Sequence, residues 1–85
     1  MREFKYVITD PEGIHIRPAG IFVKLAEGFK SNITIGKFGR EVDAKRIMRV
    51  MSLGVTCGTE ITVKCEGSDE DAACEALEKF FKENM

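Results

Sequence analysis

His15, the only histidine in this 85-residue chain, lies in the stretch Glu12-Gly13-Ile14-His15-Ile16-Arg17-Pro18-Ala19. An imidazole is nucleophilic and largely neutral near pH 7, which suits it to accept and return an electrophilic group. The stretch reads as a turn running into a helix. The first amides of a helix lack carbonyl partners and carry partial positive charge, so an anion is stabilised there without a metal ion. Pro18 suits the first turn because its missing N–H would have gone unpaired anyway. These residue types describe a histidine that can take a phosphoryl group, with the Ile16, Arg17 and Pro18 backbone region and the Arg17 side chain holding the phosphate oxygens. A lone histidine at a helix start also fits a plain surface or capping role.

The elements that would position it follow from periodicity. Phe4, Tyr6 and Ile8 alternate with Lys5, Val7 and Thr9, which predicts a strand with one buried face. Asp10-Pro11-Glu12-Gly13 has the order of a type I turn and ends that strand just before His15. From Arg17 to Gly28 the spacing becomes helical, with Ala19, Phe22, Ala26 and Phe29 on one face and Val23 and Leu25 widening it. Gly28 is the expected stop. Ile33 and Ile35 open a hairpin that turns at Lys37-Phe38-Gly39-Arg40 and ends at Val42. Asp43 is expected to cap a short helix through Ile47, Met48, Val50 and Met51, closed by Gly54. Ile47, Val50 and Met51 share a face and Met48 lies off it, as either an ordinary exposed side chain or a docking residue. Ile61, Val63 and Cys65 alternate in a strand, and Ser68 with Asp71 resembles a capping box for a last helix buried through Ala73, Ala76, Leu77, Phe80 and Phe81. The order is βαββαβα, an α+β open-faced β-sandwich in which three helices cover one face of a four-stranded antiparallel sheet.

Composition narrows the function. Hydrophobic residues form 44% of the chain, enough for one modest core and one domain spanning residues 1–85. No apolar run is long enough to cross a bilayer, and the start lacks a signal-like apolar segment, so a soluble cytoplasmic protein is expected. A net charge of −1 argues against nucleic acid or an anionic membrane as partner. Between Lys37 and Val50, however, Lys37, Arg40, Lys45, Arg46 and Arg49 outweigh Glu41 and Asp43, and a basic face near Arg17 would attract an acidic protein. Cys57, Cys65 and Cys74 have no spacing suited to zinc or to a disulfide framework. Cys65 and Cys74 read as small apolar residues, and Cys57 as a loop thiol that could pair with His15. The acids from Asp69 to Asp71 read as a helix start, so neither metal nor cofactor is expected.

Gly13-Ile14-His15-x-Arg17-Pro18-Ala19, Lys45-x-Ile47-Met48-x-Val50-Met51-Ser52-Leu53-Gly54 and Gly58-Thr59-Glu60-Ile61 together resemble the HPr family, phosphocarriers of the bacterial phosphoenolpyruvate:sugar phosphotransferase system. The resemblance runs from about Phe4 to Phe81. It implies that His15 accepts a phosphoryl group on Nδ1 from phosphorylated enzyme I, with Arg17 assisting, and passes it to the IIA domains of sugar permeases. It also implies that Ile47, Met48, Arg49 and Met51 line the surface on which both partners dock. The chain itself would be a carrier rather than an enzyme, and a monomer.

Two positions depart from the family pattern. Arg46 stands where many relatives carry a serine phosphorylated by a kinase, so no regulatory serine is expected. Ile16 replaces a usually small or hydroxylated residue beside the site and would slow transfer or narrow partner choice. The competing readings are an HPr-like regulatory binding module with little sugar flux and a redox protein based on Cys57.

Overall fold

The computed structural model describes residues 1–85. Its elements run β1 (Arg2–Val7), α1 (Ile16–Glu27), β2 (Asn32–Lys37), β3 (Arg40–Asp43), α2 (Ile47–Ser52), β4 (Glu60–Glu66) and α3 (Glu70–Asn84). The strands form one sheet in the order β1-β4-β2-β3, and every neighbouring pair is antiparallel. This is the expected βαββαβα open-faced sandwich.

Register follows from burial. Phe4 and Ile35 both lie opposite Val63, and Ile33 lies opposite Cys65, so the apolar positions of three strands fall on one face. A slip of one residue would turn that whole set to water. The other face stays polar, where Lys64 pairs with Glu41 at 3.3 Å and Glu41 accepts from the Thr34 hydroxyl at 3.0 Å. The helices bring Ala19, Phe22, Val23 and Ala26 from α1, Val50 from α2, and Ala73, Cys74, Leu77, Phe80 and Phe81 from α3. Phe22 packs with its ring centroid 5.2 Å from that of Phe81, which also meets Phe4 at 6.0 Å. Full burial of one such ring contributes about 2–3 kcal/mol. That packing holds the start of α1 still.

Gly28 stops α1 as expected, whereas the caps expected for α2 and α3 fall elsewhere. Gly28 closes α1 in a right-handed conformation (φ −73°), its N–H bonded to the Leu25 carbonyl at 3.1 Å, so its left-handed freedom goes unused. Asp43 does not cap α2. It ends β3, and the chain continues along the sheet through Ala44, whose N–H reaches the Ile33 carbonyl at 2.9 Å, while the Asp43 carboxylate accepts the Lys45 N–H. Arg46 is the residue that precedes α2. At α3, Asp69 rather than Ser68 stands at the cap position, and its carboxylate is directed at another segment altogether.

Candidate functional site

The loop before α1 is shaped by a glycine that no other residue could replace without movement. Gly13 has φ +67°, and a Cβ there would stand 2.2 Å from the Val55 carbonyl oxygen. This close approach lets the neighbouring Ile14 N–H bond that same carbonyl at 3.0 Å. From the other side, the Met85 carbonyl accepts the Thr9 and Asp10 amides at 2.6 and 2.8 Å. Asp10 in turn binds the Glu12 N–H through its carboxylate and the Gly13 N–H through its carbonyl. The loop is therefore tied to both of its flanks.

His15 occupies the cap position of α1 in extended geometry (φ −99°, ψ 178°) and makes no side-chain capping bond. Its carbonyl accepts the first helical bond, from Ala19 at 3.0 Å. The Ile16 and Arg17 amides thus precede any helical acceptor, Pro18 has none to offer, and the first turn holds no acid. The imidazole is 35% exposed. It lines a shallow hollow with Asp10, Arg17, Pro18, Ile21, Phe80 and Asn84. Arg17 is exposed and enters no salt bridge or hydrogen bond, which leaves its guanidinium available to an incoming anion.

Sequence reasoning missed the carboxylates. His15 Nε2 lies 3.4 Å from Glu12 Oε2 and 3.7 Å from Asp10 Oδ2, and the three donor atoms fall within 4.8 Å of one another. In the sequence both acids belong to the turn signature Asp10 to Gly13. The available signal was their position three and five residues before His15, in a turn that folds back on it.

The docking residues lie beside this site. Ile47 packs close enough that a Cβ on Gly20 of α1 would meet its Cδ1 at 3.8 Å. Met48 is 75% exposed, Arg49 is exposed, and Ile47 and Met51 are half-buried. Ile16 and Ile21 are exposed on α1, Ile21 at the edge of the His15 hollow. The basic segment is less concentrated than its sequence suggests. Lys37 donates to the Gly54 carbonyl, Arg40 to Ser52, and Lys45 to the Phe29 carbonyl at the far end of α1. Arg46 and Arg49 remain exposed without salt bridges or side-chain hydrogen bonds. Cys57 is exposed, its thiol 3.7 Å from the Thr9 carbonyl, whereas Cys65 and Cys74 are buried. Burial pushes the Cys65 thiol up to about 11, which removes it from thiolate chemistry near neutrality.

A family model described as the PTS HPr component phosphorylation site matches residues 2–83. The chain belongs to the HPr family. Membership makes it a phosphocarrier component of the phosphotransferase system. Phosphocarrier protein HPr of Mycoplasma capricolum is 42% identical over 79 residues, covering 93% of this chain and 89% of that HPr. A solved histidine-containing phosphocarrier protein of Mycoplasma superposes with a TM-score of 0.93 at 39% identity, over 96% of this chain and 93% of the other. An HPr from Thermoanaerobacter tengcongensis, solved as a dimer, matches with a TM-score of 0.78 at 40% identity, over 98% and 95% of the two chains.

Proposed function

We propose that residues 1–85 work as one HPr-like domain in which His15 accepts a phosphoryl group from phosphorylated enzyme I and surrenders it to the IIA domains of sugar permeases. In the first step the phosphorus–donor bond breaks as an N–P bond to His15 forms; in the second that N–P bond breaks toward the acceptor. The chain is a carrier, not an enzyme, because it is itself the species modified in each half of the cycle.

One observation carries this reading: an accessible imidazole stands at a helix start whose amides have no helical acceptor and whose first turn holds no acid. A carrier has to hold phosphate firmly enough to receive it and loosely enough to give it up. Backbone donors and one mobile arginine in a shallow hollow suit that balance better than an enclosed pocket. The carboxylates support Nδ1 as the acceptor nitrogen. At Nε2 they repel a phosphate and favour the tautomer with its proton on Nε2, which leaves the Nδ1 lone pair to attack.

Ile47, Met48, Arg49 and Met51 form the docking surface, with Ile16 at its margin. The exposure of Met48 beside unpaired Arg49 is the support for it. Work as a monomer in the cytoplasm suits a protein that presents one face to successive partners, and no helix is long and apolar enough to cross a membrane. Kinase control through a serine is not part of this function. Arg46 holds the family position, and the Ser52 hydroxyl is already donated to the Arg49 carbonyl at 2.6 Å. Incubation with labelled phosphoenolpyruvate and enzyme I should yield acid-labile, alkali-stable label on the protein, and Cys57→Ser should retain it. Loss of label in Cys57→Ser would move the chemistry to the thiol.

A further inference from the structure

Phe38 stands at the tip of the β2–β3 hairpin in a backbone conformation that phenylalanine rarely adopts. Its φ is +50° and that of Gly39 is +82°. Such left-handed pairs close two-residue hairpins and are normally supplied by Asn-Gly or Asp-Gly. The Phe38 ring is also 87% exposed, more than any other large apolar side chain in the molecule. Backbone strain and apolar surface in water thus fall on one residue, and neither serves the core. Folding alone would favour asparagine at this position.

The hairpin tip is braced. Lys37 Nζ donates to the Gly54 carbonyl at 2.9 Å while lying 5.7 Å from the centre of the Phe38 ring. Arg40 reaches the Ser52 carbonyl and hydroxyl at 3.4 and 3.3 Å. Both contacts hold the tip against the C-terminal end of α2. The next carbonyl along, that of Val55, binds Ile14 in the histidine loop. Phe38 therefore stands near the C-terminal end of α2, and it also lines a hollow with Lys5, Thr62 and Lys64 on the open side of the sheet.

We propose that Phe38 is an aromatic anchor for the protein partner that docks on α2, entering an apolar depression rimmed by acidic side chains on that partner. Lys37 and Arg40 supply the complementary charge beside it. This assignment rests on the docking role of α2 given above. Exposed aromatic side chains dominate binding energy when they fill a partner's pocket, and a ring with two rotatable bonds loses little entropy on doing so.

Phe38→Asn installs a residue that the turn favours. Phosphoryl transfer from phosphorylated enzyme I, measured with the chain as the varied substrate, should show KM raised roughly tenfold with kcat unchanged. Thermal melts of the same variant should show Tm raised by about 4 °C. An unchanged KM overturns the anchor. A lowered Tm also overturns it, because the ring would then be serving the hairpin. Met48→Ala in the same assay separates the two levels: if it raises KM while Phe38→Asn does not, the anchor alone fails, and if neither raises KM, the docking role of α2 fails with it.

Discussion

At the start of α3, Asp69 turns its carboxylate onto the Lys30 and Ser31 amides and the Ser31 hydroxyl, Glu70 accepts the Gly67 N–H at 3.2 Å, and Asp71 adds a further acid to the first turn. At the start of α1 there is no acid in the first turn and no side-chain cap. Both helices are preceded by a glycine with positive φ set tightly against another segment, Gly13 on Val55 and Gly67 on Ser31. The two starts thus share a loop design and a dipole but differ in what answers the dipole. Where the protein's own carboxylates do so, the terminus is a structural joint. Where nothing does and an imidazole stands alongside, the terminus is open to a phosphate. The acids that belong to the α1 loop, Asp10 and Glu12, lie against the imidazole instead of in the first turn.

The severest break in that contrast is removal of the nucleophile. His15→Ala should abolish acid-labile labelling from phosphoenolpyruvate and enzyme I, and label on the alanine variant would reject His15. Arg17→Ala removes a charged phosphate donor that has no structural partner, so transfer should fall about a hundredfold. Tm should move by no more than about 3 °C, because exposed residues without partners contribute little stability.

Giving α1 the acidic first turn of α3 sharpens the contrast further. Ile16→Asp places a carboxylate beside the incoming phosphate, and kcat/KM should fall about tenfold while Tm holds or rises by about 2 °C. Equal transfer by this variant would show that the open terminus is not what receives the anion.

The complementary change at α3 should touch stability alone. Asp69→Asn is expected to lower Tm by about 5 °C and leave transfer intact. The Ser31 hydroxyl, followed by the Lys30 amide, holds the Asp69 pKa below its ordinary value of 3.8. A lowered folded-state pKa means that this contribution is complete above the unfolded value and disappears as pH falls through the folded one. Melts below about pH 4 should therefore lose less stability in the asparagine variant than in the parent.

Much of this was readable before any coordinates. Alternation at Phe4 to Ile8 and Ile61 to Cys65, the helical spacing from Ala19 to Ala26, and the Asp10 to Gly13 turn each appear as expected, because local periodicity and turn chemistry act over a few residues. Misreadings fell where a side chain had two possible targets. Asp43 and Ser68 have the positions of helix caps, yet Asp43 accepts the amide two residues on, and the cap position of α3 falls to Asp69, whose carboxylate bonds a segment 38 residues away. The basic run from Lys37 to Arg49 suggested a uniform cationic face, but the carbonyls that bind Lys37, Arg40 and Lys45 belong to other elements.

The residues of this chain determined by themselves a nucleophile at a helix start, one sheet with a buried face and a short helix bearing an exposed methionine. Those features depend on intrinsic backbone preference and on side chains a few positions apart. Only the tertiary structure decided that Asp10 and Glu12 face Nε2, that Arg17 and Arg49 are left without partners, and that Phe38 is held outward at the end of α2. Each of these depends on distance between groups remote in sequence or folded back on one another, and such distances exist only once the core has packed.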